Sequence, residues 1–201
     1  MKKTVKLCKD FNLIESNKTS NKINYMRLSK GDLVKQIQLP AIDGTQFNSE
    51  IFNGKPFLIS FFRFAGCPFC NLRVHEMVNS HQESFNIITI FDSPLNNLIK
   101  HSKGHNAPFS ILADEKNIYY KQYGVEHSIK GMLEGMFLHF PRLMKGMLKG
   151  YLPTTIKGSL ITMPADFLID KNGRIHTTYY AKHEADHIPL EVIREFFDEQ
   201  N

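Results

Sequence analysis

Apolar positions along this chain fall into short runs that alternate with helical stretches. Phe57-Leu58-Ile59-Ser60-Phe61-Phe62 reads as a strand. Ahead of it, Ile37-Gln38-Leu39-Pro40 and Gln46-Phe47 flank the turn dipeptide Asp43-Gly44, which predicts a short strand pair. Beyond it, Cys70, Val74, Met77, Val78 and His81 share one face of a predicted helix. Ile87-Ile88-Thr89-Ile90-Phe91 is the next strand. It ends at Asp92-Ser93-Pro94, where serine is expected to cap a helix that starts on the proline. That helix runs through Leu95, Leu98 and Ile99 and stops at Gly104. Phe109-Ser110-Ile111-Leu112 is a short strand, 114–123 a short helix, and Asp166-Phe167-Leu168-Ile169-Asp170 opens a hairpin that turns at Lys171-Asn172-Gly173 and returns through 174–180. Pro189 opens a last helix with Leu190, Ile193, Phe196 and Phe197 as its apolar positions. Strands alternating with helices, then a hairpin and a helix, predict an α/β fold whose central mixed sheet carries helices on both faces.

With 201 residues and ordinary apolar content, the chain suits one domain with an insertion. Residues 1–30 are polar and rich in Asn, Lys and Ser, which predicts a loosely attached arm, with the domain spanning 31–201 and the insertion about 127–158. Three cysteines are too few for a secreted disulfide scaffold, and Cys8, in the lysine-rich start, reads as a bystander. Met1-Lys2-Lys3 mimics a signal peptide, but Thr4-Val5-Lys6-Leu7-Cys8-Lys9-Asp10 interrupts any apolar core. The expectation is a soluble protein of a reducing compartment, the cytoplasm. A net charge of +5 is modest and carries no nucleic-acid motif, so no nucleic-acid partner is expected.

The chemistry concentrates at Cys67-Pro68-Phe69-Cys70, which joins the first long strand to the helix after it. A helix N-terminus lowers the pKa of a cysteine on its first turn, and the thiolate is the nucleophile. The helical pattern turns Cys70 inward and leaves Cys67 free to face solvent. Cys67 is then the attacking sulfur and Cys70 the resolving one, a reversible dithiol that needs no cofactor. A structural zinc site would need four ligands, and no second Cys-x-x-Cys pair exists. Arg63 and Arg73 are candidate cations for the thiolate. Arg63 is preferred because it interrupts an apolar strand end, where an idle charge would be costly.

Two phrases, 62–72 around the dithiol and Met163-Pro164-Ala165-Asp166-Phe167-Leu168-Ile169-Asp170-Lys171-Asn172-Gly173, resemble the AhpC/TSA, or peroxiredoxin-like, branch of the thioredoxin-fold superfamily. The likeness covers roughly 31–125 and 160–200 and implies a thioredoxin-like fold with an antioxidant or redox role. It also implies a cis proline at Pro164, after Met163, facing the dithiol in a loop whose backbone pairs with substrate. Arg63, Cys67, Cys70 and Pro164 form the expected catalytic set, and Phe64, Pro68, Phe69 and Met163 the substrate contacts. The implied substrate is a disulfide or a peroxide, and the implied electron donor is an unidentified dithiol. Two positions depart from the family pattern Pro-x-x-x-Thr-x-x-Cys, because Ser60 and Phe64 stand where it has proline and threonine. Disulfide exchange needs only the dithiol, whereas peroxide loses a hydroxyl that would orient it.

Two other segments attract alternative readings. His183-Glu184-Ala185-Asp186-His187 spells the zinc-hydrolase pattern H-E-x-x-H, but Pro189 discourages the helix that pattern requires, so solvated loop residues or a cap for the last helix are expected, and a zinc hydrolase using His183 and His187 is the alternative. Lys130-Gly131-Met132-Leu133-Glu134-Gly135-Met136-Phe137 is echoed by Lys145-Gly146-Met147-Leu148-Lys149-Gly150-Tyr151-Leu152, predicting two amphipathic helices separated by Pro141. Their apolar stripes are expected to pack over the domain's own core. A sharper alternative makes residues 129–152 a docking surface for a second copy, an apolar partner or a membrane, and the protein a redox-responsive binder without turnover.

Overall fold

The computed structural model describes residues 27–200, so Cys8 and nearly all of the 1–30 arm lie outside the described residues. The chain is already docked at Arg27, whose guanidinium pairs with Glu126, and at Leu28, whose N–H donates to the Tyr180 hydroxyl. Strands β1 (Gln38–Pro40) and β2 (Gln46–Asn48) pair antiparallel across the Asp43-Gly44 turn. The central sheet contains β3 (Phe57–Phe62), β4 (Ile87–Phe91), β5 (Ser110–Ala113), β6 (Ala165–Ile169) and β7 (Ile175–Tyr180) in the order β5-β4-β3-β6-β7. Strands β3, β4 and β5 run parallel, while β6 is antiparallel to both β3 and β7.

Every residue of β3 and β4 is buried, as continuous apolar strands covered on both faces must be. Leu58, Phe62, Ile87 and Phe91 face one layer, made with α1 (Pro68–Ser80), α2 (Leu95–Ser102) and α6 (Leu190–Gln200). Ile59, Phe61, Ile88 and Ile90 face the other, made with the β1–β2 pair and α3 (Ile118–Gln122). Period-two alternation of apolar side chains thus serves two cores at once. Polar positions sit in register across the middle of the sheet, with Ser60 opposite Thr89 on one side and Asp166 on the other.

Local details differ from the sequence expectation. Pro94 occupies the cap position of α2 and the Ser93 hydroxyl accepts from the Asn97 side chain rather than from a helix N–H. Helix α3 starts later than expected, because the Asp114 carboxylate gathers the N–H groups of Ile118, Tyr119 and Tyr120. The Met163–Pro164 bond is trans, and no cis peptide occurs among the described residues. Here the Met163 N–H donates to the Glu126 carbonyl (2.8 Å) and the Pro164 carbonyl accepts from Ala181 (3.0 Å). Both flanks of the bond are therefore tied into extended pairing, which the intrinsically favoured trans isomer continues.

Between α3 and β6 the chain forms α4 (Ile129–Leu138) and α5 (Phe140–Leu148), broken at His139-Phe140-Pro141. The segment leaves and returns at one point, where Ser128 donates to the Ile161 carbonyl at 2.7 Å. Its helices bury their apolar stripes only in part: Met132, Leu143 and Met147 are half-buried and Leu143 packs against the core, but Ile129, Leu133, Phe137, Met144 and Leu148 are exposed. Gly131, Gly135 and Gly146 take the innermost positions. A Cβ on Gly131 would come within 2.6 Å of the Met163 sulfur, one on Gly146 within 2.9 Å of the Pro68 carbonyl oxygen, and one on Gly135 would overlap the Glu184 side chain. Only a residue without Cβ allows approach this close, so small residues decide which helix face goes inward. Among the described residues no helix is long and apolar enough to cross a membrane.

The Tyr120 hydroxyl donates toward the Phe62 and Ile90 carbonyls at the ends of β3 and β4, from a fully buried position. Tyr120→Phe is expected to lower unfolding stability by about 1–3 kcal/mol, the cost of leaving buried carbonyls without a donor. Urea denaturation of the two proteins checks this, and an unchanged midpoint would contradict it.

Candidate active site

Strand β3 delivers Arg63 from its end, and the following turn places Cys67 at the N-cap of α1 with Pro68 in the first turn. The Cys67 sulfur accepts the Cys70 N–H at 3.4 Å, and both cysteines are free thiols. Asn71 clamps the turn, its amide donating to the Ala65 carbonyl at 2.7 Å and the Cys67 carbonyl at 2.9 Å. His105 Nε2 in turn donates to the Asn71 side-chain oxygen at 2.8 Å. Burial, helped by His75, pulls the His105 pKa down to about 4, so this imidazole is neutral and its proton sits on the nitrogen facing Asn71.

The Arg63 guanidinium lies 3.7 Å from the Cys67 sulfur, forms an ion pair with the Glu184 carboxylate and donates to the Leu160 carbonyl. It also sits over the Phe64 ring, 5.5 Å from the centroid. Burial raises the Cys67 pKa, but the Cys70 thiol, the Arg63 charge and the N–H groups of Cys70 and Phe69 outweigh it and bring the thiol to about 6. Cys70 moves the opposite way, raised by burial and then by its neighbour sulfur. Burial pushes the Glu184 carboxyl up to about 7, with Cys67 adding to the rise and Arg63 offsetting part of it. The two thiols therefore differ in acidity, Cys67 being the more acidic and Cys70 the less.

Several expectations need correcting. Cys67 is fully buried rather than solvent-facing, because Gly146 of α5 seats on Pro68 and Gly66 lies close to Pro153. Arg73 points away from the sulfurs and donates to the Ile188 carbonyl at 2.5 Å. The His183–His187 loop is non-helical, as expected, but it packs against the site rather than standing in solvent. Glu184 is 2 % exposed and holds Arg63, His187 Nδ1 contacts Asp166 at 3.1 Å, and His183 stacks on His139. Asp166 also accepts from Ser60 (2.6 Å) and the Ile188 N–H (2.9 Å). Although burial opposes it, His187, Arg73 and Ser60 hold this carboxylate below its ordinary range.

A cavity of about 370 Å3 adjoins the dithiol. Met132, Met136, Leu143, Met147, Ile156 and Leu160 line it, together with Phe64, Pro68, Phe69 and the Arg63–Glu184 pair. Met163 is buried beneath α4 at Gly131. Pro164 precedes Ala165, which pairs with Phe61, so it sits at the same sheet end as Arg63. A larger cavity of about 480 Å3 lies around Ile42, Lys103 and Phe109, away from both sulfurs.

Sequence reasoning missed Glu184, Asn71 and His105. Asn71 carried a weak signal, as a polar residue beside Cys70 on a helix otherwise packed inward. Nothing along the chain linked Glu184 to Arg63, 121 residues away.

This sheet order, with a dithiol at the first strand-to-helix junction, defines an oxidoreductase of the thioredoxin fold. The profile of the AhpC/TSA family matches residues 30–178, and the chain belongs to that family. A search of curated proteins finds no match. Among solved structures it is similar to the peroxidoxin BcpB from Mycobacterium tuberculosis, with a TM-score of 0.60 at 14% identity over 87% of this chain and 99% of that one. It is also similar to a thiol peroxidase from Chromobacterium violaceum (0.59, 18%, 87% and 88%). A thiol:disulfide interchange protein from Chlorobium tepidum gives 0.50 at 16% identity over 86% and 97%. At these identities the likeness is one of fold.

Alkylation of reduced protein by iodoacetamide is expected to rise with pH with a midpoint near 6 and then level off, since only the thiolate reacts. Arg63→Gln removes the paired cation and is expected to move that midpoint up by roughly 1–3 units. In Gly146→Ala the new methyl group meets the Pro68 carbonyl, and overpacking of about 1–3 kcal/mol should loosen α5 from the dithiol. Faster alkylation of Cys67 than in wild type is the expected readout.

Proposed function

We propose that this protein is a dithiol oxidoreductase in which Cys67 attacks and Cys70 resolves, reducing disulfides and, as a second class, hydroperoxides. The observation that carries the reading is the buried Arg63 beside the Cys67 sulfur, with the thiol brought to about 6 while Cys70 stays protonated. The Cys67 thiolate attacks one sulfur of a substrate disulfide. The S–S bond breaks, its other sulfur leaves as a thiolate, and a mixed disulfide forms. Cys70, losing its proton to the medium or to the departing thiolate, then attacks Cys67 and releases the second substrate thiol. The substrate gains two electrons and the protein ends with a Cys67–Cys70 disulfide, which an external dithiol must reduce.

With a hydroperoxide, Cys67 takes the terminal oxygen as a sulfenic acid while the alcohol or water leaves. Cys70 then displaces water to give the same disulfide. Phe64 bears on the choice of oxidant. A ring stacked under Arg63 offers apolar contact where the family pattern has a hydroxyl, which supports substrates with an apolar portion beside the reacting atom. Phe64, Pro68 and Phe69 are the proposed contacts, at the dithiol end of the cavity. Arg63 is the proposed electrostatic partner of the thiolate.

Stopped-flow oxidation of reduced protein by a model disulfide and by hydrogen peroxide tests this. Wild type is expected to react with the disulfide, Cys67→Ser to be inert, and Cys70→Ser to stop at a trapped mixed disulfide. Wild-type rates no higher than those of Cys67→Ser with both oxidants would overturn the reading.

A further inference from the structure

The helices of the 127–158 segment turn their glycines inward and much of their apolar bulk outward. On α4, Ile129, Leu133 and Phe137 each lie two positions from Gly131 or Gly135, about 200° around the helix from the buried glycines. On α5, Met144 and Leu148 stand in the same relation to Gly146. Phe137 is 77% exposed and Leu148 84%, values that water alone does not favour for side chains of this size.

We propose that the outer face of α4 and α5 docks in the plane of an anionic lipid bilayer surface. Charge selects this occupant. Between 129 and 157 the chain carries Lys130, Arg142, Lys145, Lys149 and Lys157 against Glu134 alone, a net of five minus one, or +4, out of the +5 of the whole sequence. Arg142 turns back to Glu76, Lys149 reaches His75 at 3.2 Å and Lys130 pairs with Glu134 along α4, but all four lysines remain exposed. Lys145 and Lys149 directly follow Met144 and Leu148, so cations border the apolar row. Large apolar side chains flanked by lysines on a helix too short to span is the composition of an interfacial helix, and it complements anionic headgroups. A second copy docked symmetrically would instead bring the same lysines face to face. Met136 joins this row to the cavity beside the dithiol, so the docked face and the cavity are continuous.

Flotation of the full chain with phosphatidylcholine vesicles, with and without phosphatidylglycerol, tests the proposal. Binding to the anionic vesicles is expected to exceed that to phosphatidylcholine by roughly tenfold or more and to weaken as salt is added. The double variant Phe137→Glu with Leu148→Glu is expected to lose binding by a similar factor with an unchanged circular dichroism spectrum, since both side chains project outward. Equal binding to the two vesicle types, or binding retained by the double variant, would overturn it. So would a dimer in analytical ultracentrifugation, formed without vesicles and dissolved by the same two substitutions.

Discussion

A guanidinium buried without anions would cost several kcal/mol, and Arg63 is almost wholly buried. Two groups compensate it from distant parts of the chain, the Cys67 sulfur at the start of α1 and the Glu184 carboxylate in the loop before α6. Much of the surrounding structure serves this arrangement. Strand β3 carries the arginine to the junction, the loop after β7 brings the carboxylate, and the Leu160 carbonyl on the returning segment takes a further N–H. One cation facing two anions leaves neither fully neutralised. Against burial, the Cys70 thiol and the Arg63 charge bring the Cys67 thiol down, while burial pushes Glu184 up with Cys67 adding to the rise.

Around that centre the backbone is held by polar side chains that make no contact with either sulfur. Asn71 fixes the Ala65 and Cys67 carbonyls, and neutral His105 fixes Asn71. Asp92, just past β4, accepts from the Ser159 N–H and the Thr162 hydroxyl, pinning the return of the α4–α5 segment. The glycines of α4 and α5 then let that segment lie directly on Met163, Glu184 and Pro68. The cover over the dithiol and its apolar cavity therefore come from the same close packing, and the bulky face of the two helices is left outside.

Much of the fold was legible along the chain because its signals are local. The runs of β3 and β4, the Asp43-Gly44 turn, the Lys171-Asn172-Gly173 hairpin and the Pro189 start of the last helix each rest on residues within a few positions of one another. Boundaries were less legible where a side chain from outside the element intervened, as Asp114 does for α3. The insertion misled for a definite reason. Helical periodicity marks an apolar face but does not say that it turns inward, and here three glycines compete for the inner position and win by approaching more closely.

The dithiol, its place at a strand-to-helix junction and the preference for Arg63 over Arg73 follow from the sequence alone, because a helix N-terminus and a charge ending an apolar strand act over one or two turns. Burial of Cys67, the trans Met163–Pro164 bond, the removal of Arg73 to Ile188 and the recruitment of Glu184 were decided by tertiary structure. Three of these depend on partners roughly 80 to 120 residues away, and the trans bond on Glu126 and Ala181, nearer along the chain but in other elements. Which sulfur ionises is set locally, by the Cys-x-x-Cys neighbour, Arg63 and the first-turn N–H groups, whereas the distant partners close the low-dielectric interior around the pair and set what can reach it.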